Sequence, residues 1–236
     1  MKPIIYQLLP RTFTDYNETR RHNGTLQENG SGTLNAITPK ALRAIRDLGA
    51  THVWYTGVIR HATAQYNTPA IVKGKAGSPY AITDYYDIDP DLCEDKRHRM
   101  QEFTQLVERS HHANLKVIID FVPNHVAREY HSTCKPKGVV DLGANDNPEW
   151  AFSPLNNFYY MGEPFAPHFD VEGYQENPAR ATGNDCFTAH PSKDDWYETV
   201  KLNYGVFYQG GGEKQFDPIP DTWHKMLHIL LFWASK

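Results

Sequence analysis

One short run concentrates side chains able to do chemistry: Ile118-Ile-Asp-Phe-Val-Pro-Asn-His125. Lys116 to Val122 is nearly continuously apolar, as expected of a strand buried on both faces. It delivers Asp120, Asn124 and His125 toward its C-terminal end. A carboxylate in an apolar layer needs a cation or hydrogen-bond donors, because unpaired burial is costly. Asn124 and His125 emerge at the mouth, where sugar hydroxyls or a metal could meet them. The plainer alternative is that Asp120 caps a turn and His125 satisfies backbone groups. The run by itself leaves both open.

Other constellations fall short. Asp87-Ile-Asp-Pro-Asp91 begins like a calcium-hand loop, but Leu92 replaces the turn glycine and His98 the closing Glu. His125, Glu129 and His131 lack the HExxH spacing of zinc proteases. His111 and His112 come late on an amphipathic helix, where they favour its dipole. Gly210-Gly-Gly-Glu-Lys214 lacks the Gly-Lys-Ser/Thr of a phosphate loop and reads as a flexible hairpin tip. Cys93, Cys134 and Cys186 are an odd count at wide spacing with no CxxC pair, which argues against a disulfide framework or zinc ribbon.

The elements that must position the run alternate. Ile4 to Leu9 reads as a strand ending at Pro10, and polar residues 15–38 as a loop. Pro39 to Leu48 is a helix capped by Thr38, with Leu42, Ile45 and Leu48 on one face. His52 to Tyr55 is a second strand, closed by Gly57. Residues 58–94 look like loop. A helix follows from about Lys96 to Ala113, then the strand from Lys116. From His125 to about Pro218 no period is sustained, which is too long for a loop in a compact domain and implies an inserted subdomain. Pro220 to Ser235 is a helix with Trp223, Met226, Leu227, Leu230, Leu231 and Ala234 on one stripe.

Strand, helix, strand, helix, strand, insertion, helix is an α/β order with a parallel sheet, whose ligands bind at the C-terminal strand ends. Three strands are too few for a closed barrel of eight. The expected divisions are residues 1–124, three βα units; 125–218, the insertion; and 219–236, a third helix. A net charge of -4 over 236 residues gives no footprint for nucleic acid. No apolar run reaches a membrane span. The start, Met1-Lys-Pro-Ile-Ile-Tyr, lacks a signal-peptide core. Compartment stays open between an exported protein without its leader and a cytoplasmic one. Fourteen Tyr, eleven Phe and five Trp in a polar chain suit surfaces that stack on sugar rings, or equally a large aromatic core.

Four stretches in order carry a resemblance to the α-amylase family, glycoside hydrolase family 13. Asp120-Phe-Val-Pro-Asn-His125 resembles its Asp-x-x-x-Asn-His signature at the end of the third barrel strand. Ile5-Tyr-Gln-Leu-Leu-Pro-Arg-Thr-Phe-Thr-Asp15 resembles its opening strand, and Leu48-Gly-Ala-Thr-His-Val-Trp-Tyr-Thr-Gly-Val58 its second helix–strand junction. Ser78-Pro-Tyr-Ala-Ile-Thr-Asp-Tyr-Tyr-Asp-Ile-Asp-Pro90 is similar to the block holding its sugar-stacking Tyr, with Ser78 where a His often precedes that Tyr. Lys201-Leu-Asn-Tyr-Gly205 matches the close of the inserted domain B.

The resemblance implies a partial TIM (β/α)8 barrel with an irregular insertion after strand 3. It implies a retaining hydrolase of α-1,4-glucans such as starch or maltodextrin, with oligosaccharide or polysaccharide as partner. Tyr80 would stack beneath the sugar, His125 would hydrogen-bond its primary hydroxyl, and Asp120 would support by orienting an Arg from the next strand. Asn124 falls where many members bind structural calcium, the one cofactor implied; the usual carboxylate ligands do not align here. The catalytic trio belongs to the fourth, fifth and seventh strands, so none is expected in this chain, which alone should be inactive. A non-catalytic sugar-binding or assembly module on the same fold is the alternative. Three strands would leave open sheet edges and an exposed apolar barrel interior, which predicts self-association or poor stability.

Overall fold

The computed structural model describes residues 2–236. In chain order, β1 (Ile5–Leu8) runs into two one-turn helices, α1 (Pro10–Phe13) and α2 (Leu26–Asn29), and then α3 (Pro39–Asp47). Next come β2 (His52–Tyr55), β3 (Ile59–His61), β4 (Ile82–Ile88), α4 (Arg99–His112) and β5 (Lys116–Ile119). The order ends with β6 (His125–Ala127), β7 (Thr199–Lys201), β8 (Val206–Phe207), β9 (Glu213–Lys214) and α5 (Asp221–Ala234).

β1, β2 and β5 form a parallel sheet in that order, with Tyr6, Val53 and Val117 in register. α3 and α4 make the crossovers. Thr38 caps α3 by accepting from the Ala41 N–H at 3.2 Å, and Pro39 occupies the first turn, where no donor is lost. Leu42 and Ile45 of α3 and Phe103, Leu106 and Val107 of α4 cover Val53 and Tyr55 in one core. The Tyr55 hydroxyl, buried there, pairs with Ser110 Oγ at 2.7 Å, as a buried phenol must.

Three expectations are corrected. The strand read as running to Val122 stops at Ile119, and just beyond it Asp120 turns its carboxylate onto Trp54 of the neighbouring strand β2. Residues 58–94, read as loop, contain the antiparallel pair β3–β4, and every residue of β4 is buried. Its acidic side chains hid the strand. Asp84 accepts from the Thr133 and Cys134 N–H groups and the Ser132 hydroxyl, while Asp87 is clamped by Arg99 and Arg60.

The third correction concerns α5. The helix forms where expected, but it buries Thr222, Lys225, Met226 and Ile229 while Leu227, Leu230 and Leu231 are exposed. Lys225 is tolerated inside because its ammonium donates to the Asp141 carbonyl and to Asn157 Oδ1. The C-terminal half of the helix, Ile229 to Ala234, is apolar all round, and such a segment does not disclose its inner face.

β6 and β7 pair antiparallel, and Gly211 and Gly212 turn the β8–β9 hairpin at positive φ. Residues 128–198, between them, are turns and extended segments with an isolated bridge, Tyr160 to Arg180. A buried ionic cluster ties these segments together. Glu176 accepts from Arg128 Nη1 and Arg180 Nη2, both at 2.6 Å, and from the Tyr174 hydroxyl. Arg128 also donates to the carbonyls of Tyr197 and Arg180, and lies 3.9 Å from the Phe165 ring centre. Burial works to raise the Glu176 carboxyl, but the two guanidiniums outweigh it and hold it below its ordinary value.

Candidate active site

The C-terminal ends of β2 and β5 converge on Asp120. Its carboxylate accepts from the Trp54 indole N–H at 2.5 Å and the Gly57 N–H at 2.9 Å. Gly57 is required: its φ is +69°, and a Cβ there would lie 2.6 Å from Pro79. Asp120 therefore has the donors a half-buried carboxylate needs. It also joins the strand end to the segment bearing Tyr80, whose phenol is raised by desolvation and then by the Asp120 charge.

Tyr80 sits on a loop braced from below. Arg11 donates to the Gly77 carbonyl at 3.1 Å and reaches the His61 ring, whose Nδ1 lies 3.1 Å from Asp89. Ser78 accepts from the Tyr80 N–H at 3.3 Å. Tyr80 is left 44% exposed, which suits a surface made to be covered by a ligand.

His125 opens β6 and is buried. Asn124 Nδ2 donates to the Gly183 carbonyl at 2.7 Å and meets His125 Nδ1 at 3.0 Å. With Nδ1 accepting from Asn124, the ring proton sits on Nε2, and the ring lies near the Tyr80 main chain. Burial lowers the His125 pKa, the Tyr80 bond opposes this, and the Lys201 charge adds to the lowering. The imidazole is neutral at pH 7. Gly183 leaves room for it: a Cβ there would come within 2.9 Å of His125 Cβ and Cγ.

Tyr80 and His125, predicted together, line one cleft of about 300 Å³ with Ser78, Val122, Trp196 and Glu198. Asp120 stands against its Tyr80 side. Within this chain its partners are Trp54 and Gly57. Trp196 and Glu198 were not singled out, because they lie in the stretch with no period. The exposed Trp in an aromatic-rich insertion was the available signal.

Asn124 was the expected calcium ligand. Its Oδ1 instead accepts from the buried Lys201 ammonium at 3.3 Å, and that ammonium pairs with Asp185 at 2.5 Å. Calcium takes six to eight oxygen ligands, several of them anionic. Here a cation already lies against the ligand oxygen and neutralises the adjoining carboxylate. The residues as arranged do not fit the ion. Asp84, Asp87 and Cys134 also approach one another elsewhere, but Arg99 occupies that cluster.

The chain aligns with Maltase 1 of Drosophila virilis at 30% identity over 234 residues, 99% of this chain and 29% of that protein. It aligns with the trehalose-6-phosphate hydrolase of Bacillus subtilis at 28% over 163 residues, 69% of this chain and 22% of that one. An alpha-amylase structure from Lactobacillus plantarum superposes with a TM-score of 0.52 at 23% identity, covering 99% of this chain and 36% of that one. That likeness speaks for the fold, a part of an α/β barrel. The chain thus spans under a third of the length of these curated relatives. The model of the alpha amylase catalytic domain matches residues 7–177; the chain belongs to the alpha-amylase family.

Proposed function

We propose that this chain supplies part of the glucose-binding wall of an α-amylase-type glycoside hydrolase acting on α-1,4-glucans with retention. The observation that carries the reading is the cleft shared by Tyr80 and His125 at the C-terminal end of the parallel sheet. Tyr80 offers a half-exposed ring for a sugar face. His125, its pKa lowered by burial, offers a neutral ring N–H to a sugar hydroxyl. Asp120 supports both by fixing Gly57 against Pro79. Residues 125–218 act in this reading as one inserted subdomain closing a side of the site.

Retaining chemistry requires a nucleophile and a general acid about 5 Å apart. Among the cleft residues, Glu198 is the carboxylate, and Asp120 is committed to Trp54 and Gly57. The proposal is therefore binding without turnover by residues 1–236. Calorimetry with maltoheptaose should show saturable binding, and a reducing-sugar assay should show no release. Turnover by this chain, or absence of binding, would overturn it.

A further inference from the structure

Trp196 is 47% exposed and lines the same cleft as Tyr80, yet it belongs to the stretch after β6 rather than to the sheet ends. His125 touches both. Its ring lies 5.4 Å from that of Trp196, edge to face, and it reaches the Tyr80 main chain. The Trp196 backbone is fixed on two sides. Its N–H donates to Asn184 Oδ1 at 3.2 Å, and its carbonyl accepts from the Thr199 N–H at 2.9 Å. Two residues on, Glu198 Oε2 accepts from the Lys73 N–H at 2.9 Å, and the Lys73 ammonium donates to the Lys193 carbonyl at 3.0 Å. The strand-side loop and the insertion are thus latched together at the cleft wall.

A half-exposed indole on a braced backbone at a cleft wall is a surface that a ligand can cover. Tryptophan offers a large, stiff apolar area at little entropic cost, and stacking on it tolerates any ring with a C–H face. Beside a neutral imidazole and the Tyr80 ring, the matching ligand is an uncharged pyranose chain.

We propose that Trp196 is a second sugar platform, which stacks on a glucosyl unit adjoining the one on Tyr80, so that the cleft selects chains of at least two units. This rests on the functional reading above and adds the residue that measures chain length. Tyr80 alone would bind one ring, and Trp196 makes any chain of two or more units bind more tightly than glucose.

The test compares glucose, maltose and maltoheptaose on the whole chain by calorimetry. Wild type should gain affinity with length. Trp196→Ala should lower maltoheptaose affinity about tenfold, the scale of one stacked aromatic, and leave glucose affinity unchanged. Trp196→Phe should stay within about threefold of wild type. Should the Ala variant fail to fold, the indole ¹⁵N–H resonance, assigned through its loss in Trp196→Phe, reports directly. It should shift with maltoheptaose and stay still with glucose. Wild-type binding that Trp196→Ala leaves intact, or an unmoved indole resonance, overturns the platform while sparing the functional reading. No binding by wild type overturns both.

Discussion

Glu176→Gln is the substitution that most directly tests what holds residues 128–198 together. Glu176 is the counter-charge for two guanidiniums, with Arg128 fully buried and Arg180 nearly so. Glutamine keeps the shape and one acceptor, but its amide NH₂ must face donors: Arg180 Nη2 and the Tyr174 hydroxyl. Stripping one partner from a buried ion cluster costs about 3–5 kcal/mol. At about 2 kcal/mol per M, the urea midpoint should fall by roughly 1.5–2.5 M. Adding Arg128→Met removes the repulsion between two unpaired cations and keeps the apolar stem against Phe165. The double variant should therefore be more stable than Glu176→Gln alone.

A pH arm follows from the same cluster. The Glu176 carboxyl is held below its ordinary 4.5, so the unfolded chain takes the proton first. Its contribution is full above that value and is lost as pH falls through the lower folded value. Wild type should show this acid loss, and Glu176→Gln should lack it. A single variant within about 1 kcal/mol of wild type, or a double variant less stable than the single, would refute the electrostatic argument.

Other outcomes are expected. Chelation with EDTA should leave the melting temperature unchanged, whereas Lys201→Met should lower it by leaving Asp185 and Asn124 Oδ1 without their cation; a large EDTA shift would show that the Lys201 reading is wrong. The His125 imidazole should titrate below its ordinary 6.5 in a proton NMR series. The unfolded chain then protonates first, and stability declines as pH falls through that value; a midpoint above it would contradict the burial argument. Exposed Leu227, Leu230 and Leu231, with β1 and β5 as the outer strands of their sheet, should make sedimentation concentration-dependent. Leu227→Lys with Leu231→Lys should weaken that association, and a wild-type monomer at all concentrations would count against it.

What could be read from sequence was local. β1, β2 and β5 announce themselves as apolar runs, and α3 and α4 by period, because each is specified within a dozen residues. β4 is invisible for the opposite reason: Asp84 and Asp87 look like loop residues until donors more than forty residues away at Ser132 to Cys134, and the Arg60 and Arg99 guanidiniums, are folded onto them. The inner face of α5 depends on a single lysine finding Asp141 and Asn157, 84 and 68 residues earlier. Among site residues, the Asp120–His125 run and Tyr80 could be named from their motifs. The bracing of Tyr80 by Arg11 and His61, and the position of Trp196, arise from contacts across separate segments that no period encodes.

The ammonium of Lys201, set against Asn124 and Asp185, carries a consequence of its own. An ion captured from solution obeys mass action, so the structure it holds weakens whenever the free ion becomes scarce. A charge tethered by its own side chain has no such equilibrium and cannot be diluted or competed away. With Lys201 in that place, the corner of the fold that carries His125 should keep its stability whatever the divalent-ion content of its surroundings.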